Sequence, residues 1–340
     1  MKNSIIIIAS LLILTTSCEE YVFDMEYKNT PVENFEALWS EYDQLYGLFE
    51  VRNIDWDQVY EEHRPQINNQ SSSEELYNVL VSMLTILDDS HVGLYPTNDE
   101  FPLFFSGLEG RLKERETFHL DVVKDNYLKE AKEEFPFTWG FLDDQRSIGY
   151  LYILGEPGDK QVDKLMPDII QNLQNAAHLI VDIRNNSGGE DRGSQAIASY
   201  FTDQRRPFMQ VSIKNGPERD NFTTPDTWYI EPKGITYNGP ITLLTNRHTV
   251  SAGETLTMAM NTLPTITSIG DTTMGAFANA AYGELPNGWL YSISIGDWRD
   301  AEGKSHEGIG IIPDHIIKNQ KADLLNGKDE VLESALQRIR

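Results

Sequence analysis

The chain has 340 residues, 40% of them hydrophobic, with 53 acidic against 28 basic side chains, a formal charge of -25 and one cysteine. That length and apolar content suffice for roughly two domains with a sizeable core and exclude wholesale disorder. The acidic excess argues against binding nucleic acid, which rests on clustered Lys and Arg; a lone Cys18 excludes an internal disulfide, a CxxC redox pair and a thiolate zinc site.

In chain order, Lys2 is followed by an apolar run over 5–14. It is too short for a membrane span of ~20 residues but suits a secretory signal. Thr15, Thr16 and Ser17 then lead to Cys18, so residues 1–18 look like a bacterial lipoprotein signal whose cleavage leaves Cys18 lipidated. No second run of that kind follows, and the expectation is a soluble domain tethered to a membrane on the periplasmic or outer side of a bacterial envelope.

Helical spacing comes next, in Phe35, Leu38, Trp39, Tyr42 and Tyr46 and again in Leu76, Leu80, Met83, Leu84 and Leu87. Asp55 with Gln58, and Ser72 with Glu75, have the spacing of helix starts. A small helical domain is expected over 31–97, and the charged, weakly periodic stretch 98–145 reads as a connecting segment.

From 146 to 318 the pattern is α/β. Strand-like runs at 148–154, 179–183, 208–213, 241–245, 266–269 and 290–295 alternate with helical patterns around 162–173, 193–201 and 252–263. A last helix over 329–339, within the segment 319–340, is expected to pack back. Loops at the strand ends of such a layer carry the chemistry.

Two of those loops stand out. The segment ITLLTNRHTVSAGETLTMAM reads as a buried strand, a polar turn and a helix starting just after Ser251. Ser251 with Glu254 fits a capping box, and a nucleophile at such a place would also have the Ala252 N–H and the helix dipole facing a developing oxyanion. The segment HLIVDIRNNSGGED ends a strand in Gly188 and Gly189, which can bring backbone N–H groups close to a ligand, or serve as an ordinary turn.

A serine nucleophile needs a base. Of the seven His residues, His63, His119, His178 and His315 fall inside helix or strand patterns, and His248 lies on the same tight turn as Ser251. His91 in the Asp89-Ser90-His91-Val92 turn is the first candidate and His306, beside Glu307, the second. The flanks of Ser251 break the GxSxG elbow, and Gly310 stands where HExxH needs its second His.

Taken in order, DDSHVGLY, IGYLYI, LIVDIRNNSGG, LLTNRHTVSAGE, IGDTTMGAF, LPNGW and EGIGIIPD resemble the tail-specific or C-terminal processing serine peptidases. The resemblance implies an α/β core of crotonase or ClpP type built from β-β-α units, and peptide hydrolysis with neither metal nor organic cofactor. One branch of that family uses a Lys in a TxGK string as base and carries a PDZ domain. Here the string is Thr273-Met274-Gly275-Ala276, and 98–145 is short for a PDZ domain. The other branch, similar to the tricorn protease core and the modules of retinoid-binding photoreceptor protein, implies Ser251 as nucleophile and His91 as general base. Ser90 and Glu307 would form the relay behind His91, and Ala252 with Gly188 or Gly189 the oxyanion hole.

The expected function is therefore an envelope-anchored serine endopeptidase acting on short or unfolded peptides. A non-catalytic module of the same fold, holding an apolar ligand or a peptide, is the alternative. A carbohydrate-binding or scaffolding lipoprotein, suggested by six Trp and fifteen Tyr, is a third, though Trp39 and Trp56 fall on apolar helix faces.

Overall fold

The computed structural model of the chain describes residues 27–97, 100–107 and 116–339. Four helices come first: α1 (Pro31–Leu45), α2 (Phe49–Arg52), α3 (Trp56–His63) and α4 (Ser73–Thr85). Side chains take up the free N–H groups of their first turns. Thr30 accepts from the Glu33 N–H at 3.2 Å, Asp55 from the Gln58 N–H at 3.0 Å, and Ser72 and Glu75 cap each other at 3.2 and 2.7 Å.

The apolar faces of these helices do not close a core by themselves. A four-stranded antiparallel sheet completes it, in the order β11 (Ala280–Glu284), β12 (Leu290–Ser294), β1 (Gly93–Tyr95) and β2 (Phe104–Phe105). Leu94 lies opposite Tyr291, the Tyr42 hydroxyl donates to the Ser292 carbonyl at 2.6 Å, and Trp289, Tyr291 and Ile293 pack among the helices. Trp56 is fully buried there with its ring 5.8 Å from Tyr42 and 5.4 Å from Phe49. Its truncation to Ala would cost about 3–5 kcal/mol.

The main sheet has seven strands. They are β3 (Lys129–Glu134), β4 (Phe137–Phe141), β5 (Ile148–Ile153), β6 (His178–Asp182), β9 (Ile241–Thr245), β10 (Ile266–Gly270) and β14 (His315–Ile316), in the order β14-β10-β9-β6-β5-β4-β3. Pairing is parallel from β14 to β5 and antiparallel from β5 to β3. Side chains alternate between two buried faces. Leu151, Ile153, Leu179, Val181, Ile241 and Leu243 pack with α6 (Asp159–Leu173), α7 (Asp191–Ala198) and α8 (Ala252–Asn261). Tyr150, Tyr152, Ile180 and Leu244 pack with α5 (Leu120–Asn126) and with α10 (Glu330–Ile339), which follows the short α9 (Lys321–Leu325).

A three-stranded sheet, β13 (Gly296–Asp300), β7 (Arg206–Ile213) and β8 (Asp226–Ile230), adds Phe208, Met209 and Trp298 to the first of those faces. The stretch expected as a connecting segment, 98–145, supplies β2, α5, β3 and β4. All five residues of β4 are buried, whereas all six of β3 are exposed, because β3 is an edge strand paired only to β4. Among the described residues no PDZ-like unit intervenes between helices and core, and no helix is long and apolar enough to cross a membrane. The two loops singled out above follow β6 and β9 at their carboxyl ends, where open parallel sheets place ligands.

Candidate active site

Ser251 holds φ 56° and ψ -124°, a conformation that costs a non-glycine residue about 1–3 kcal/mol and is retained only where surroundings impose it. Here they do. Its N–H donates to the Ala276 carbonyl at 3.1 Å, its carbonyl accepts from Glu254 and Thr255 at 2.7 and 3.1 Å, and the Val250 N–H donates to the Asn186 carbonyl at 3.1 Å. The capping box expected between Ser251 and Glu254 is not formed, because caps need an extended residue and Ser251 is turned out of that region. Glu254 points inward instead. It accepts from the Thr273 hydroxyl and from the Gly275 and Ala276 N–H groups at 2.6, 2.7 and 2.8 Å. Burial pushes its carboxyl up to about 7 despite those donors. The Ser251 hydroxyl is thus free of capping work, and the Ala252 N–H at the start of α8 has no partner among the described residues.

The Gly188–Gly189 turn abuts it. A β-carbon on Gly188, at φ 83°, would stand 2.7 Å from the Ser251 Cβ and 3.2 Å from the Ala252 nitrogen, so only glycine fits. The Gly188 N–H itself is held by the Asn186 Oδ1 at 2.8 Å. Glu156 pairs with this turn through Glu156 N–H to Gly188 carbonyl at 3.3 Å and Glu190 N–H to Glu156 carbonyl at 2.9 Å. In a parallel bridge of that kind the N–H of the central residue, Gly189, faces away from Glu156, and it has no partner among the described residues. Asn186 also donates to the Glu156 carboxyl at 2.7 Å; the other Glu156 oxygen is buried without a partner, and burial pushes this carboxyl up to about 8. Arg184 and Asn185 hold the turn in shape. Arg184 is buried between Asp182 and Asp329, and Asn185, at φ 57°, exchanges bonds with Asn246 at 3.0 and 2.9 Å.

His91 follows a tight turn in which Asp88 has φ 45°. Asp89 fixes that turn, accepting from the His91 N–H at 2.9 Å, the Ser294 hydroxyl at 2.7 Å and the Tyr46 hydroxyl at 3.1 Å. The His91 carbonyl accepts from the Ser292 hydroxyl at 2.7 Å, which ties it to β12. Burial pushes the His91 imidazole down, with Asp89 acting upward and Arg52 downward, and its Nδ1 is buried without a partner among the described residues. His306, the second candidate, has its Nε2 engaged by Asp300 at 2.8 Å in a cavity of about 760 Å³ beside β7. His248 is buried on the Ser251 turn, and His63 and His178 bond Val59 and Thr242 in structural positions.

Comparison with known proteins gives this geometry a family. The model for peptidase family S41 matches residues 147–317, half of the chain, and the model for the tricorn protease C1 domain matches residues 27–85. The chain belongs to peptidase family S41. Among its relatives, a peptidase candidate of known structure from Parabacteroides merdae ATCC 43184 is 28% identical, with a TM-score of 0.80 over 91% of this chain and 96% of that one. The carboxy-terminal processing protease CtpB of Bacillus subtilis (strain 168) is 24% identical over 195 residues, 55% of this chain and 38% of its own. The tricorn protease shares the fold at a TM-score of 0.56 and 16% identity over 91% of this chain and 36% of its own. The chain spans less than half the length of the curated relatives it matches, from 30% to 44%.

In this S41 chain the residue at the TxGK lysine position, Ala276, is fully buried and meets the Ser251 turn through its backbone. The hydrogen-bonded relay expected from Ser90 and Glu307 behind His91 is not made. Glu307 instead pairs with Arg52 through one oxygen and accepts from the Phe277 N–H at 2.9 Å through the other. The half-buried Ser90 hydroxyl makes no hydrogen bond among the described residues. Arg52 and Asn186 went unforeseen, Glu254 was expected only as a cap, and Asp89, two residues before His91, carries the local signal of an Asx turn. Cys18 lies outside the described residues.

Proposed function

We propose that this chain is a serine peptidase whose nucleophile is Ser251 and whose general base is His91. The observation that carries the reading is the strained Ser251 at the head of α8, with the Ala252 N–H unspent beside it and the Gly188–Gly189 turn pressed against it. Strain of this kind is kept where an exposed, aimed side chain is needed. His91 takes the hydroxyl proton as Ser251 attacks a peptide carbonyl. The resulting oxyanion is received by the Ala252 and Gly189 N–H groups, each such donor being typically worth about 100-fold to 1000-fold in turnover. The proton then goes to the leaving amine, and water, deprotonated by the same imidazole, releases the acyl group.

Support for His91 comes from the bonds that join its turn to that of Ser251. Arg52 spans from Asp88 to the Gly275 carbonyl at 2.8 and 3.4 Å, and the following residue, Ala276, accepts the Ser251 N–H. The position of Glu307 and Ser90 supports an electrostatic part for the carboxylate at most, acting through Arg52. Short or unfolded peptides are the proposed substrates. The lipoprotein-like run ending at Cys18 supports an anchor in the bacterial envelope.

A fluorophosphonate probe, intact mass and peptide mapping on a form starting after Cys18 test the mechanism. Labelling at Ser251 in the wild type and its loss in Ser251→Ala and His91→Ala are expected. A folded wild type that resists the probe and cleaves no peptide in a denatured-protein mixture would sink the reading. Growth with a radiolabelled fatty acid tests the anchor: label retained in Cys18→Ser excludes it.

A further inference from the structure

The Arg52 side chain meets three separate parts of the site. It ends α2, and its guanidinium is almost wholly buried, with 7% of the side chain exposed. One amino group donates to the Leu87 and Asp88 carbonyls at 3.2 and 2.8 Å. The other donates to the Gly275 carbonyl at 3.4 Å and pairs with Glu307. Glu307 in turn takes the Phe277 N–H, and the Gly308 N–H donates to the Gly275 carbonyl at 2.8 Å.

These contacts reach the segment that leads into His91 and the strip that braces Ser251. Leu87 and Asp88 lead into Asp89 and His91, while Gly275 and Phe277 flank Ala276, whose carbonyl takes the Ser251 N–H. A planar fork with five donors can satisfy acceptors on several elements at once, which a lysine ammonium on a flexible stem does less well. A buried guanidinium is costly unless it is paired and bonded, so its presence here implies that these acceptors are what it is for.

We propose that Arg52 is a positioning residue: it holds the His91 turn, the Gly275–Phe277 strip and Glu307 in one register against Ser251. The inference rests on His91 being the base, and it assigns Glu307 the task of holding Arg52.

The charged and titratable groups facing His91 set the sign. Asp89 on its own turn favours the imidazolium, Arg52 on α2 disfavours it, Glu307 is paired with Arg52, and Tyr46 at the end of α1 donates to Asp89. Removing the cation therefore makes His91 easier to protonate, so the acid limb of activity moves to higher pH.

The test is the rate of fluorophosphonate labelling at Ser251 from about pH 5 to about pH 9, with a parallel NMR titration of ring-labelled histidine assigned to His91. In Arg52→Gln the plateau rate is expected to fall about tenfold or more and the acid limb and His91 midpoint to rise together. Arg52→Lys, which keeps the charge and loses the fork, is expected to lose rate while its midpoint stays near the wild-type value. A folded Arg52→Gln with the wild-type rate, or one slowed with an unmoved His91 midpoint, overturns the proposal. If Arg52→Gln does not fold, Arg52→Lys decides: the wild-type rate in that variant overturns it. If the wild type itself is not labelled, the peptidase reading fails separately, and the NMR midpoints still decide whether Arg52 controls His91.

Discussion

Ser251 hangs its backbone N–H on the carbonyl of Ala276, at 3.1 Å, while Glu254 holds the Ala276 N–H from the other side at 2.8 Å. The helix that follows Ser251 thus grips the strip that bends the backbone of Ser251 itself. Without that grip, a residue at φ 56° and ψ -124° would relax toward an ordinary helix cap.

The strain has a direct check. Glycine adopts this conformation freely, whereas alanine does not. Both Ser251→Gly and Ser251→Ala are expected to abolish labelling, but the glycine variant should be more stable than the alanine variant by about 1 kcal/mol in urea denaturation. Equal stabilities, or the reverse order, would remove the strain from the account.

Gly188 is the neighbour with least room. In Gly188→Ala the new methyl meets the Ser251 Cβ at 2.7 Å and the Val250 carbonyl at 2.9 Å, at a φ of 83° that alanine resists. A stability loss of about 2 kcal/mol or more and a drop in labelling rate of at least about tenfold are expected from thermal denaturation and probe kinetics. A variant with wild-type values on both would show that this turn yields, and would take the oxyanion role from it.

The pH dependence of labelling follows from His91. Burial lowers its pKa from the ordinary 6.5, so the base stays neutral to a more acidic pH. The acid limb of the labelling rate should have its midpoint below 6.5, and Asp89→Asn, which removes the charge acting upward, should move it lower still. A wild-type midpoint above 6.5 contradicts this.

Stability should run the other way with pH. Burial raises Glu156 to about 8 and Asp191 and Glu254 to about 7 in the folded chain. A carboxyl raised on folding stabilises the fold below its unfolded pKa and loses that contribution as pH rises through the folded value. The melting temperature should therefore fall by several degrees, about 5 °C, between about pH 6 and about pH 9, and less in Glu156→Gln. A melting temperature that climbs over that interval would show that these groups are ionised throughout.

Much of the layered core was readable because it obeys two periods. Leu151 and Ile153 against Tyr150 and Tyr152 alternate as a strand buried on both faces must, and Phe35, Leu38 and Tyr42 recur as a helix face must. The turn at Ser251 was legible as strand, polar turn and helix. What was misread was its energetics: the Ser251–Glu254 spacing satisfies the capping pattern, and only the inward donors at 273–276 reveal that Glu254 is spent elsewhere. The exposed β3, with sequence KEAKEE, carries no apolar alternation at all. Arg52 could not be found from sequence, since its acceptors are backbone carbonyls and one distant carboxylate. The relay from Ser90 and Glu307 was an expectation of resemblance; among the described residues the hydrogen-bonded form is not made, and Glu307 pairs with Arg52.

The pairing of β1 with β12 also sets a timetable. The segment carrying His91 is seated by Tyr291, Ser292 and Ser294, about 200 residues later in the chain, whereas the strand and helix flanking Ser251 lie among nearer neighbours in sequence. On the proposed mechanism, a nascent chain that has emerged only as far as β11 would hold Ser251 and lack a seated His91. Such a chain is expected to be inert toward itself and toward its surroundings until synthesis is nearly complete, and a truncation ending before Leu290 should refuse the serine probe even where its parallel sheet has formed.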